Sequence, residues 1–342
     1  MKEFKIGLLG AGRWGPNVIG AFSRIEGANI SHVADLNEDS LQFLKKRFGN
    51  LKTSTDPNDI LTNDSLDAVA ICTPVETHLD LAEKALLNGK HIFVEKPFGL
   101  DVDHCKQICK LAEEKGLTIL VGHVFLFNAS VLKLKQIVDS GELGEIIHLE
   151  AHRTNLGPVR KDVNAAWDLT SHDLSIFDFL LDSLPRSVSC LGSCKLDPKI
   201  EDTTYTTFRY PNQIIAHAHA SWLNPRKVRH ITVIGSEKMV LWDDLNLDNP
   251  ITIFDSSIGL DQSYYSDSFS SHRLSYNRGD VILPSITNNE PLLEELKHFL
   301  NVCLGRETNR SSGIYATEVV HSLRISDCSL KMEGKFISTE RL

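Results

Sequence analysis

A short apolar run, Phe4 to Leu9, breaks into Gly10-Ala11-Gly12-Arg13-Trp14-Gly15, and a helix-compatible segment follows as far as Ile25. Few folds accommodate three glycines spaced this way between a buried strand and a helix. The first glycine permits a tight turn, the second lets a ligand approach the backbone, and the third lets helix and strand pack closely. The helix start then offers unpaired N–H groups to an anion. An acid, Asp35, ends the next strand-like run (30–35), twenty residues beyond Gly15. A carboxylate there accepts hydrogen bonds from both hydroxyls of an adenosine ribose. It is followed by Leu36 and Asn37 with no arginine beside it, which favours NAD over NADP. Arg13 and Trp14, inside the glycine turn, are further candidate cofactor contacts.

The same rhythm continues. Strand-like runs at 66–74, 91–97 and 117–123 alternate with helical segments at 40–48, 76–90 and 101–116. Asp101 is a candidate N-cap, and Gly89 and Gly116 are candidate helix stops. Strand–helix–strand repetition with short loops predicts a parallel sheet with right-handed crossovers, a Rossmann domain over residues 1–123. From about 124 the rhythm changes. Runs at 145–153, 186–194, 203–210, 213–222, 230–236 and 239–244 are strand-like, and most connections are too short for crossover helices. Helical segments at 165–182, 290–304 and 313–332 complete an α+β domain over 124–342 with a large, mostly antiparallel open sheet, its last helix able to pack back on the first domain. The stretch 256–285, rich in Ser, Tyr and Asp, is the least regular and suits a lid or interface loop.

Composition narrows the partners. With 36 basic and 45 acidic side chains the formal charge is −9, which argues against binding nucleic acid or an anionic membrane. Seven cysteines, an odd count without a CxxC pair, do not suggest a disulfide framework. The start Met1-Lys2-Glu3 lacks the apolar run of a secretion signal, and no stretch is long and apolar enough to span a bilayer. A cytoplasmic, soluble protein is the expectation. His217 and His219 alternate with alanines and share one strand face; no third metal ligand can be placed, so no metal is expected.

In sheets of this kind, ligands bind outside the carboxyl ends of the strands. Thr73, Pro74 and His78 follow the third main strand there and are candidate cofactor contacts. Glu95-Lys96-Pro97 ends the fourth, a carboxylate and an amine braced by a proline that is a candidate for a cis bond. Lys96 is the candidate catalytic cation, with Glu95 placed to orient it. In "WDLTSHDLSIFDFLL", Asp168 and His172 lie four apart and share a helix face, an imidazole suited to proton transfer beside a carboxylate.

These elements together resemble the glucose-fructose oxidoreductase / inositol dehydrogenase / MocA-like family. The resemblance rests on Gly10-x-Gly12-x-x-Gly15, Glu95-Lys96-Pro97 and Asp168-x-x-x-His172, and covers essentially the whole chain. It implies NAD(P)-linked hydride transfer at a sugar or polyol carbon and an open sheet used in a homo-oligomer, dimer or tetramer. It implies a catalytic pair Lys96 and His172 with Asp168 as a catalytic or substrate contact. Phe125 and Asn155 match positions that touch substrate in the family, although many relatives carry arginine where this chain has Phe125. Within the family the segments 152–158, 167–181 and 221–244 are most similar to enzymes acting on nucleotide-linked sugars, such as UDP-N-acetylglucosamine or its uronate oxidised at C3. Arg153, with Arg160, Arg226, Lys227 and Arg229, would then supply charge for a diphosphate. Trp167, like Trp14, is a candidate to border the nicotinamide, with packing against a helix as the alternative for each. A free sugar or inositol is the alternative substrate. An NAD-binding redox sensor without activity would keep the glycines and Asp35 but has no need of Lys96 or His172. A methyltransferase has no role for Glu95-Lys96-Pro97.

Overall fold

A computed structural model describes residues 3–261 and 273–341, which form two compact units. The first comprises residues up to Phe127 together with Asn289–His321, and the second Asn128–Asn288 with Ser322 onward. The sequence suggests a second domain over 124–342; compactness groups its 289–321 segment with the first unit.

The first unit is built on six described strands, β1 (Phe4–Leu9), β2 (Ala28–Ala34), β3 (Lys52–Ser54), β4 (Ala68–Ile71), β5 (His91–Glu95) and β6 (Ile119–Gly122). Their order is β3-β2-β1-β4-β5-β6 and every pairing is parallel. Both faces of such a sheet are covered by helices, so its inner strands are apolar throughout rather than alternating: Ala68 to Ile71 and Ile119 to Val121 are all buried. The order reverses between β1 and β4, and the crevice that opens there is where such a sheet receives ligands. Helix ends follow local chemistry. Asn37 caps Glu38–Phe48 by accepting the N–H groups of Asp39 and Ser40 at 2.9 and 3.3 Å. Asp101 caps Val102–Lys115 through the N–H of His104 at 2.7 Å, and Gly116 closes it at φ 63°. The late helix Pro291–Cys303 completes this unit's core, where Phe299 meets Phe22 and Phe93 edge-on at 6.4 and 6.0 Å.

The second unit holds nine described strands: β7 (Ile146–Leu156), β8 (Ser187–Ser193), β9 (Thr203–Arg209), β10 (Ile215–Ser221), β11 (Leu223–Gly235), β12 (Met239–Asp243), β13 (Ile251–Asp261), β14 (Arg273–Ile282) and β15 (Ile337–Ser338). They run β14-β13-β12-β11-β7-β10-β9-β8-β15, antiparallel except for the central β10–β7 pair. Alternation sets the faces. In "IAHAHAS" the alanines are buried and the histidines turn the other way. His219, His152 and His230 then fall in one row across three strands, with Tyr205 stacked on His219 at 4.4 Å. No group of three or more His, Cys, Asp or Glu among the described residues is arranged to hold a metal.

Four features depart from the sequence expectations. The stretch 256–285 is largely strand, belonging to β13 and β14, and its centre at 262–272 lies outside the described residues. β11 begins at Leu223 and carries Pro225 through a register shift between Leu223 and Val228, a bulge that spares the ladder a missing N–H. The helix Ala129–Asp139, capped by Asn128, has no counterpart in the sequence reading, which keyed on stronger periodicity elsewhere. The expected helix at 165–182 opens as a π-turn, Ala166–Thr170, before Ser171–Leu181. No described helix is long and apolar enough to cross a membrane.

Candidate active site

The glycine turn is required by its neighbours. Gly10 has φ 97°, and a Cβ there would lie 2.5 Å from the Cys72 carbonyl oxygen. A Cβ on Gly15 would lie 2.3 Å from the Gly10 carbonyl oxygen. Gly12 is different: a Cβ there meets nothing within 4 Å. It is exposed together with Arg13 and Trp14, so no protein atom requires a glycine at that position, and a ligand approaching the backbone would. Asp35 sits against this turn. Its Oδ2 accepts the Ala11 N–H at 2.5 Å and its Oδ1 the Asn37 N–H at 2.8 Å. A groove of about 570 Å³ opens beside it, walled by Gly12, Arg13, Asn17, Ser40, Phe43 and Arg47. The sequence shows no arginine next to Asp35, but the fold brings the Arg13 and Arg47 guanidinium groups to this groove. The turn, the acid and the open side of Gly12 fit the pyrophosphate and ribose of a dinucleotide.

The second element is the loop at the carboxyl ends of β4 and β5. Lys96 is half-buried directly after β5, and the Lys96–Pro97 bond is cis. His78 is buried, and its ring nitrogens lie 2.9 Å from the carbonyl oxygens of Pro97 and Thr73. The imidazole read from the sequence as a cofactor contact thus ties the lysine loop to the Thr73 loop. Thr77 Oγ1 bonds Thr73 Oγ1 at 2.7 Å and the Pro74 carbonyl at 2.8 Å, fixing that loop from the other side. Trp14 hydrogen-bonds Glu95, which links the glycine turn to the lysine strand.

Glu95 shares a strand face with Phe93 and pairs in register with Gly122. Its carboxylate lies over that glycine, where a Cβ would approach Oε2 to 2.9 Å. Burial pushes the Glu95 carboxyl up to about 7, against the downward pull of Lys96 and of the Trp14 hydrogen bond. Glu295 stands one turn before Phe299 on the helix that packs against Phe93. It is fully buried, and neither carboxyl oxygen has a hydrogen-bond partner. Burial, and then the Glu95 charge, push its carboxyl well above the usual carboxylate range, which favours the neutral acid. His123 follows β6 as Lys96 follows β5. It is 2% exposed and packs edge-on to Tyr315 at 5.8 Å. Neither ring nitrogen has a partner; burial and then Lys96 push its imidazole down to about 3. Neither Glu295 nor His123 stands out in the sequence, because strand register and a helix some 200 residues downstream (291–303) create their surroundings.

In the second unit, Asp168 lies in the π-turn and accepts the Trp222 indole N–H at 3.0 Å, with Arg160 Nη1 at 3.5 Å. His172 follows in the first turn of Ser171–Leu181, half-buried. Arg153, read from the sequence as a substrate cation, is 3% exposed and sends Nε and Nη2 to Asp173 Oδ1 at 2.9 and 2.7 Å. Its charge is balanced inside the fold. Arg160 pairs with Asp162, and Arg229 Nη1 reaches Asp244 at 3.3 Å. Trp167 is also buried, its indole N–H on Asp327 at 3.0 Å. Asn155 is half-buried on β7 with its amide folded back toward Gly157, and in the first unit Phe125 is half-buried after His123.

Comparison with known proteins accords with this arrangement. Residues 4–123 match the oxidoreductase family with an NAD-binding Rossmann fold, and 131–241 match the GFO/IDH/MocA C-terminal domain. The chain is 29% identical over 251 residues to scyllo-inositol 2-dehydrogenase (NAD(+)) of Bacillus subtilis, covering 69% of this chain and 72% of that protein. It is 26% identical over 261 residues to UDP-N-acetylglucosamine 3-dehydrogenase of Acidithiobacillus ferrooxidans, covering 76% and 79%. The chain spans about two thirds of the length of several other curated relatives. The solved structure of UDP-N-acetylglucosamine 3-dehydrogenase GnnA from Acidithiobacillus ferrooxidans superimposes with a TM-score of 0.80 over 97% of this chain and 99% of that one, at 21% identity. With both halves of the pattern present and the glycine turn, Asp35 and Lys96 in place, the chain belongs to the GFO/IDH/MocA family and is an NAD-dependent oxidoreductase.

Proposed function

We propose that the protein transfers hydride between NAD and a CH–OH carbon of a sugar, C3 of a nucleotide-linked sugar such as UDP-N-acetylglucosamine or its uronate. The observation that supports this reading most is the Glu95–Lys96–Pro97 loop. It places an ammonium at the carboxyl end of the parallel sheet, tied through Trp14 to the glycine turn. Gly10, Gly12, Gly15 and Asp35 would hold the dinucleotide, with Thr73 and Pro74 beside it. Bound NAD supplies the hydride acceptor, and the chain's own groups handle charge and proton. Lys96 stabilises the alkoxide that develops as the C–H bond breaks. His172 or Lys96 takes the hydroxyl proton, with Asp168 orienting the imidazole or binding the sugar. In the reverse direction the same groups return a proton to the ketone. Arg153 is spent on Asp173, and Arg160 and Arg229 already face Asp162 and Asp244, so of the five cations Arg226 and Lys227 are the ones left for a diphosphate.

The test is an absorbance assay for NADH with UDP-N-acetylglucosamine, its uronate, myo-inositol and scyllo-inositol. Oxidation of a nucleotide sugar is expected. Lys96→Ala should lower kcat at least about a thousandfold while NADH affinity stays within about threefold. Oxidation of an inositol alone would move the substrate to the polyol branch. Oxidation of none, or turnover that survives Lys96→Ala, would overturn the reading.

A further inference from the structure

Three titratable groups around the Lys96 loop in the first unit are not used in the mechanism above: the half-buried Glu95 on β5, the buried Glu295 that faces it from Pro291–Cys303, and the buried His123 after β6. His123 carries the most information. A neutral imidazole has one N–H donor and one lone pair, and burying both unpartnered forfeits the hydrogen bonds each would make in water. Protein interiors rarely tolerate this without a reason. Here neither nitrogen is bonded. The location supplies the reason. Glu95 and Gly122 are register partners in the parallel β5–β6 pair, so the next residues, Lys96 and His123, leave adjacent strand ends side by side. The Lys96 charge acts on the His123 ring directly.

We propose that His123 is a positioning residue for Lys96: its ring lone pair accepts one ammonium N–H and holds the amine aimed at the substrate oxygen during turnover. This rests on the reading of Lys96 given above. An ammonium has three N–H donors. One is directed at the substrate oxygen. Glu95 can take another only while it is ionised, and it titrates near the working pH, at about 7. His123 offers an acceptor that does not come and go. Burial and Lys96 keep its ring neutral down to about pH 3. The groups that face this ring are Lys96, directly after β5, and Tyr315 from the helix Gly313–Lys331; Glu295 and Cys72 face Glu95 from the helix Pro291–Cys303 and the end of β4. No carboxylate bonds the imidazole, so nothing draws it toward the cationic form.

The experiment compares His123→Leu, His123→Asn and His123→Gln with wild type and Lys96→Ala, using NAD and whichever of the four compounds above the wild type oxidises fastest. His123→Leu should lose about 10-fold to 100-fold in kcat, with NADH affinity unchanged within about twofold. The loss should deepen as pH falls below about 7, because Glu95 is then protonated and Lys96 has neither acceptor. At least one of the two amide variants, each bearing a neutral acceptor oxygen, should recover to within about threefold of wild type. In protein labelled with ¹⁵N-histidine, the His123 ring should remain neutral from about pH 8 to about pH 5. If Lys96→Ala is inactive and His123→Leu matches wild type within about twofold, the inference fails while the reading of Lys96 stands. It fails equally if both amide variants are as impaired as His123→Leu, or if the ring titrates as an imidazolium in that pH range. Turnover surviving Lys96→Ala would instead overturn the reading, and the inference with it.

Discussion

The two units bury charge in opposite ways. In the second, Asp173 is 1% exposed and receives two N–H groups from Arg153, itself 3% exposed. In the first, Glu295 is fully buried with no hydrogen-bond partner, and His123 is nearly so. Burial pushes the Asp173 carboxyl up while the Arg153 guanidinium pulls it back down; Glu295 meets only another carboxylate, Glu95, which pushes it the same way as burial. A buried ion pair joins β7 to the helix Ser171–Leu181. In the first unit the buried Glu295 meets only the carboxyl of Glu95, and the buried His123 only the charge of Lys96, with no counter-ion bonded to either.

The largest effect should come from breaking the closed pair. Arg153→Met leaves Asp173 buried and uncompensated, and should destabilise the protein by about 3–5 kcal/mol in thermal or urea unfolding. The double variant Arg153→Met/Asp173→Leu should recover most of that loss, because an apolar replacement carries no desolvation penalty. If the single variant costs no more than an exposed pair, about 1 kcal/mol or less, the contrast between the units collapses.

Glu95 gives the next test, through pH. Its carboxyl rises from 4.5 in the unfolded chain to about 7 in the folded protein. Between those values the folded state holds a proton that the unfolded state has released. Stability from this group is therefore complete below about 4.5, falls as pH rises, and levels off above about 7. Glu95→Gln should remove that slope while leaving the rest of the pH–stability curve unchanged. Trp14→Phe, which deletes a hydrogen bond that favours the ionised form, should move the upper inflection to higher pH. A curve for Glu95→Gln that overlays wild type across this window would show that the carboxylate is solvated like any surface acid.

Glu295 should answer with the opposite sign to Arg153. Replacing a neutral, unpartnered acid by Glu295→Leu should stabilise the first unit by about 1–3 kcal/mol, whereas Glu295→Gln, which keeps two orphaned polar groups, should not. Destabilisation by Leu would mean the acid does pair in solution.

What the sequence made legible follows the range of the interactions. The glycine turn, Asp35 and the Lys96 loop each depend on a few consecutive residues in a strand–turn–helix unit, and the parallel sheet followed from their repetition. Asp101 and Gly116 were readable as helix ends for the same reason. The partner of Arg153 was not, because a cation facing substrate and one facing Asp173, twenty residues on, look alike until β7 and the helix Ser171–Leu181 are packed. The surroundings of His78 were hidden in the same way: its ring nitrogens lie near two backbone carbonyls, and only the fold brings Pro97 within reach. The strands β13 and β14 were hidden by their polar composition, since they lie toward one edge of the sheet, where a strand need not be apolar.

The smallest effect on folding, and the sharpest on binding, is expected at Gly12. Gly10→Ala would strain a φ of 97° and collide with the Cys72 carbonyl, and Gly15→Ala would collide with the Gly10 carbonyl, so both should cost stability before any ligand is added. Gly12→Ala meets nothing in the protein. Its melting temperature without ligand should therefore stay within about one degree of wild type. A methyl group at that exposed position would stand where the pyrophosphate must touch the backbone, so NADH affinity by calorimetry should fall about tenfold or more. Unchanged affinity would mean the dinucleotide does not use the open side of the turn. A large loss of stability would mean that protein atoms, not a ligand, keep this position free of a side chain, and the division between a fold closed on itself and a site left open for a partner would fail at the residue where it is simplest to see.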